Sequence, residues 1–114
     1  MTVLYGIPNC DTVKKARKWL DEHNVDYRFH DFRKDGLNVQ QVQAWQTRLG
    51  DALINKRSTS WKQLSDEQKQ SIDSGKGIAL IIDMPTLIKR PVLEYNQQIN
   101  IGFKAENYHS IFNH

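Results

Sequence analysis

The 114-residue chain carries 16 lysines and arginines against 13 aspartates and glutamates, a formal net charge of +3, with 39% hydrophobic residues and a single cysteine. A chain of this size fits one domain that buries about two-thirds of its unfolded surface without disulfide staples, and a lone cysteine closes no internal disulfide. The basic residues form no nucleic-acid motif with interleaved aromatics, no N-terminal run resembles a signal peptide, and the longest apolar segment, Gly77–Ile82, is too short to span a bilayer; nucleic-acid and membrane functions are excluded, and a reducing cytoplasm is expected.

In chain order, Val3–Tyr5 predicts a short strand. Val13, Ala16 and Leu20 recur at helical spacing among charges, and Val25, Tyr27 and Phe29 alternate with Asp26, Arg28 and His30 as a half-buried strand would. A β-α-β unit implies parallel strands and a right-handed crossover. After the turn-like Lys34-Asp35-Gly36, the residues Val39, Val42, Trp45 and Leu49 mark an amphipathic helix that ends at Gly50. Ser65 followed by Gln68 resembles a capping box for a helix over Asp66–Ile72, and Gly77–Ile82 predicts a short buried helix. Residues 37–84 thus read as a helical insertion.

The composition changes at Arg90-Pro91. Val92–Tyr95, the turn-like Asn96-Gln97, and Ile99–Phe103 predict an antiparallel hairpin. Tyr108, Ile111 and Phe112 place a last helix on the sheet, with Asn113-His114 frayed beyond it. The whole order, β-α-β then β-β-α in a mixed sheet with an inserted helical segment, is an α/β, thioredoxin-like fold in one domain, 1–114, expected to be monomeric.

The strongest chemical signal is Cys10 in Gly6-Ile7-Pro8-Asn9-Cys10-Asp11-Thr12, between the first strand and the first helix. Peptide N–H groups at a helix start favour an anion, so a sulfur there loses its proton more easily than a free thiol. The alternative is an inert cysteine filling core volume, against which its polar neighbours argue. Asp11 or Thr12 is expected to cap the helix and fix the presentation of Cys10. The Asp11 carboxylate opposes the thiolate unless it points away or pairs with Lys14 or Lys15. Asn9 either donates to the sulfur or to a bound oxyanion, or is simply a turn residue after Pro8. The cluster Lys14, Lys15, Arg17 and Lys18 is either a solvated helix face or a field that attracts anions.

In Cys-x-x-Cys sites the second thiol resolves a mixed disulfide, but that position here is Val13. A resolving thiol must come from outside, from glutathione or a second protein. Arg57 and Arg90 are distant in sequence. The segment before the third strand in such folds packs against the cysteine loop, often through a cis proline, which would bring Arg90 beside Cys10 at Pro91. Guanidinium groups grip oxyanions and carboxylates with paired hydrogen bonds. His23, His30, His109 and His114 show no metal-ligand spacing, so no metal is expected, and Trp19, Trp45 and Trp61 are expected to pack.

Tyr5-Gly6-Ile7-Pro8-Asn9-Cys10-Asp11-Thr12, Lys14-Lys15-Ala16, Ile88-Lys89-Arg90-Pro91-Val92 and Gly102-Phe103-Lys104 together resemble the ArsC/Spx family, most closely its YffB-like branch, over nearly the whole chain. In arsenate reductases of this family a thiolate attacks arsenate, glutathione displaces arsenite, and glutaredoxin completes the reduction. The resemblance implies Cys10 as nucleophile and Arg57, Arg90 and Lys104 around an oxyanion or a glutathione carboxylate, with Asn9, Asp11, Thr12 and Pro91 in support. Lys104 stands where those enzymes have a third arginine, and the histidine that precedes their nucleophile has no counterpart. These departures favour a thiol reductase with glutathione as co-substrate and no bound cofactor. The other branch implies a Spx-like regulator that binds RNA polymerase without turnover; its redox-controlled members use the Cys-x-x-Cys pair absent here.

Overall fold

The computed structural model describes residues 2–112, so the fraying expected at Asn113-His114 lies outside them. The described residues fall into two compact units, Gly36–Lys89 and the segments on either side of it.

The flanking unit holds β1 (Val3–Gly6), α1 (Asp11–Glu22), β2 (Arg28–Asp31), β3 (Val92–Tyr95), β4 (Gln98–Ile101) and α6 (Ala105–Phe112). The sheet order is β2-β1-β3-β4, with β1 parallel to β2 and antiparallel to β3, and β3 antiparallel to β4. This is the thioredoxin-like arrangement expected from the sequence. Its core joins Leu4 and Leu93 of the sheet to Ala16, Trp19 and Leu20 of α1 and Tyr108 of α6, with Phe29, Phe103, Ile111 and Phe112 packed against them. The peptide bond between Arg90 and Pro91 is cis.

Two strand limits differ from the sequence reading. The second strand starts at Arg28 rather than Val25 because α1 ends in a left-handed turn: Asn24 has φ 57°, and the Val25 N–H bonds the Leu20 carbonyl at 3.0 Å. Val25 and Tyr27 still pack on the core, from a loop. The fourth strand stops at Ile101 rather than Phe103 because Gly102, at φ 75°, turns the chain out of the sheet.

The unit Gly36–Lys89 contains α2 (Val39–Leu49), a 3-10 turn over Gly50–Leu53, α3 (Thr59–Lys62), α4 (Asp66–Asp73), α5 (Ile78–Asp83) and a 3-10 turn over Pro85–Leu87. Capping boxes start α2 (Asn38 with Gln41) and α4 (Ser65 with Gln68), the second as expected. Ser58 caps α3 by accepting from the Trp61 N–H. The unit closes through an Ile54–Ile88 bridge and the Asn55 N–H to Leu87 and Lys89 N–H to Leu53 carbonyl bonds. These bonds tie residues 85–89 to the inserted helices. Val42 and Trp45 are buried, but Val39 is 51% exposed, at the first residue of α2 before its packed stretch begins. In α5 only Ile81 is fully buried, while Ala79 is exposed. A helix advances about 100° per residue, so even an apolar run offers one stripe to a core. Among the described residues no helix is long and apolar enough to cross a membrane.

Candidate active site

The site begins at the carboxyl end of β1. Gly6 closes the strand against the first turn of α1: a Cβ there would lie 2.8 Å from Cγ2 of Val13. The absent side chain lets the helix start directly beneath the strand end. Pro8 and Asn9 then form the corner of a β-turn whose Cys10 N–H bonds the Ile7 carbonyl at 3.1 Å, the placement these residue types favour.

Cys10 itself occupies the N-cap of α1, with extended backbone (φ −84°, ψ 127°), and its carbonyl accepts the first helical bond, from the Lys14 N–H at 2.9 Å. The cap expected from Asp11 or Thr12 is therefore corrected: both are already inside the helix, and the residue at the cap is the cysteine. A sulfur in that position faces the N–H groups that a serine or aspartate cap would satisfy. It makes no ordinary cap hydrogen bond.

Partial burial alone would push the Cys10 thiol up. The Val13 N–H, the Arg90 side chain, the Thr12 N–H and the Arg90 charge more than offset this, and hold it below its ordinary value. The contribution of Val13 comes from its main-chain N–H, which neither its apolar side chain nor its place at the missing second thiol reveals. The signal that could have found it is the N-cap rule, by which the cap faces the amides two and three residues on.

Arg90 immediately precedes the buried Pro91 and β3. Its Nε and Nη1 are buried and make no conventional hydrogen bond to the protein, and its side chain and charge both help to hold the Cys10 thiol down. Two buried guanidinium nitrogens of this kind are ready for an acceptor carried by an incoming molecule. Cys10 is partly exposed and so does not fill core volume.

The remaining site residues are placed as follows. Asn9 is exposed at the turn and is not among the groups that act on the sulfur. Asp11 is exposed in the first turn of α1. Lys104 is exposed just before α6, where its carbonyl accepts from the Asn107 and Tyr108 N–H groups, and it too is not among the groups that act on the sulfur. Arg57 belongs to the Gly36–Lys89 unit, exposed on the turn into α3, with its N–H on Asn55 Oδ1 at 3.1 Å. The structure thus joins Cys10 to Arg90 within one unit.

Residues 5–111 match the model of the ArsC family. An uncharacterized protein of Haemophilus influenzae is 43% identical over 98% of this chain and 99% of its own length. A solved structure of the YFFB protein is 40% identical and covers 96% of this chain and 97% of its own, with a TM-score of 0.86. An arsenate reductase (ArsC) related protein from Brucella melitensis is 36% identical, over 97% of this chain and 93% of its own, with a TM-score of 0.76. The global transcriptional regulator Spx of Lactiplantibacillus plantarum is 26% identical over 93% of this chain and 82% of its own.

Proposed function

The chain belongs to the ArsC family, and from that premise we propose that it is a single-cysteine thiol reductase with glutathione as co-substrate. The observation that carries this reading is the partly exposed Cys10, held below its ordinary value beside the buried, unbonded Nε and Nη1 of Arg90. In the proposed cycle the Cys10 thiolate attacks one sulfur of a disulfide that contains glutathione. A Cys10–glutathione bond forms, and the other sulfur leaves as a thiolate. A second glutathione thiolate then attacks the glutathionyl sulfur of that bond, releasing oxidised glutathione and restoring Cys10. Arg90 holds a glutathione carboxylate or a substrate oxyanion in the approach, with Lys104 as a further cation for the same anion. Glutaredoxin is an alternative source of the second thiol.

Arsenate fits the same roles: the sulfur attacks arsenic with loss of hydroxide, a glutathione thiolate then attacks the Cys10 sulfur as arsenite leaves with the electron pair of the S–As bond, and a further thiol resolves the resulting Cys10–glutathione disulfide. At Lys104 a lysine keeps the charge without the planar two-pronged grip of an arginine, which weakens the case for arsenate against a disulfide. The test is mass spectrometry of wild type and Cys10→Ser after oxidised glutathione and, separately, after arsenate with glutathione. A wild-type adduct absent from the variant supports the reading and identifies the substrate. No adduct from either treatment refutes it.

A second reading is favoured by the similarity to Spx over 93% of the chain: a regulator that binds RNA polymerase without turnover. Val13 at the second position of the Cys-x-x-Cys spacing weighs against redox control of that kind. Copurification with RNA polymerase in the absence of thiol turnover would select it.

A further inference from the structure

The two edges of the sheet are built differently. On one side β2 carries Arg28 and Asp31, charges that discourage another strand from pairing. On the other, the stretch Tyr95–Phe103, which contains β4, has no charged residue, no proline and no β-bulge in its register with β3.

The hairpin fixes which way the main chain of β4 points. Asn96 and Gln97 both have positive φ, so Tyr95 and Gln98 face each other across a two-residue turn. Hydrogen-bonded pairs alternate in an antiparallel ladder, and the Gly102 N–H bonds the Pro91 carbonyl at 2.9 Å. Gln98, Asn100 and Gly102 therefore pair inward with β3. The N–H and C=O groups of Ile99 and Ile101 point outward along the free edge.

A cleft of about 260 Å³ runs beside this edge, lined by Asn100, Ile101 and Gly102 and by Asn107, Tyr108, Ser110 and Ile111 of α6. It has no charged lining. Asn100 Nδ2 and Tyr108 Oη are buried there without a hydrogen-bond partner, and Tyr108 is 1% exposed. The volume falls below the about 300 Å³ at which small-molecule pockets begin, and suits a side chain carried on a larger partner. A buried carboxylate would be costly without a cation, so the favoured guest is an amide.

Ile99-Asn100-Ile101 is its own mirror in an antiparallel pair. We propose that a second copy of this chain pairs through β4, with a two-fold axis at Asn100, extending the sheet across two molecules. In this register Ile99 exchanges main-chain bonds with the partner's Ile101, and Ile101 with the partner's Ile99, giving four hydrogen bonds from groups otherwise left to water. The Asn100 side chains stand as a directly opposed pair on the cleft side, and each Nδ2, sealed within the single chain, donates to the other Oδ1 once its carboxamide turns toward the edge. The contact is small and uses short strands, so it is a weak and concentration-dependent dimer. This departs from the monomer expected from the sequence and is independent of the sulfur chemistry.

The test begins with sedimentation velocity of the intact protein from about 10 µM to about 1 mM, where a shift toward the dimer is expected. Register is then read in a Cys10→Ser background with a single new cysteine. In the proposed pair, Asn100→Cys brings two Cα atoms to about 4.5 Å, within disulfide reach, whereas Gln98→Cys leaves its sulfurs about 14 Å apart. Mild oxidation should therefore cross-link Asn100→Cys at least about tenfold faster than Gln98→Cys. Asn100→Asp, which sets two carboxylates face to face, should weaken association at neutral pH. A single-chain mass at every concentration would leave the edge to an unlike chain and overturn the proposal. Equal cross-linking of the two cysteines would overturn it as well.

Discussion

Replacing Arg90 by glutamine separates the two services proposed for its guanidinium. The variant keeps a polar stem before Pro91 but removes the charge whose Nε and Nη1 are buried without a protein acceptor. Arg90 is one of the groups that hold the Cys10 thiol down, so the midpoint of Cys10 alkylation should move up in the variant; the Val13 and Thr12 N–H groups remain and keep part of the effect. The second service is recruitment of an anion. A charge contact at about 4 Å lies between about 1 kcal/mol in bulk water and about 4 kcal/mol near a protein surface. Cys10 is only partly buried, so about 2 kcal/mol is a fair value, equivalent to about 30-fold in rate. Iodoacetamide, which is neutral, reports the thiolate alone; iodoacetate carries a carboxylate and reports both. At a pH where the sulfur is fully ionised in both proteins, Arg90→Gln should lower the iodoacetate to iodoacetamide rate ratio by about 30-fold. An unchanged ratio together with an unchanged midpoint would refute the role given to Arg90.

The folded chain releases the Cys10 proton more readily than the unfolded one, so ionisation stabilises the fold. The stability of wild type relative to Cys10→Ser, followed by urea unfolding, should therefore rise with pH up to the ordinary thiol range near about 8.5, and be lost as pH falls through the folded midpoint. Gly6→Ala should cost about 1–3 kcal/mol, because the new methyl lies 2.8 Å from Val13 Cγ2. Val13→Ala in the same chain should recover part of that loss, and strictly additive costs would show that the two do not meet. Ser65→Ala removes half of a capping box and should cost about 1 kcal/mol in urea unfolding.

The elements that the sequence predicted best are those whose local chemistry agrees with their tertiary role. The Ser65-to-Gln68 box specifies its own helix start, and Gly50 ends α2 at φ 57° as its position suggested. The strand limits shifted where a single residue redirects the backbone just before the apolar pattern begins, as at Asn24, or before it has ended, as at Gly102. Apolar spacing carries no trace of such bends. The exposure of Val39 has the same origin: periodicity assigns a residue to a stripe, while tertiary packing decides how far along the helix that stripe is covered.

At the site, the candidate cysteine could be read from its place between strand and helix, but the groups that lower its pKa could not. Asp11 and Thr12 are residue types that cap helices, so local preference assigned the cap to them and overlooked the cysteine one position earlier. That displacement has a chemical consequence. A serine or aspartate at the cap would have occupied the amides of Thr12 and Val13, whereas a sulfur leaves them to stabilise charge that forms only when the proton leaves. The first turn of α1 and Arg90 thereby act on the same atom from two chain segments far apart in sequence. Any residue other than proline at position 13 supplies that main-chain N–H, so stabilisation of the first thiolate and the missing internal resolving thiol are separate features. Val13→Cys is thus the informative variant. It retains the amide, so Cys10 should alkylate with nearly the wild-type midpoint, and it adds a sulfur able to displace glutathione from Cys10. Under oxidised glutathione the mixed disulfide expected of wild type should give way to an internal disulfide, detected as loss of the glutathione mass. Persistence of the adduct would show that the two positions cannot exchange, and that the external thiol is imposed by geometry rather than by the missing sulfur.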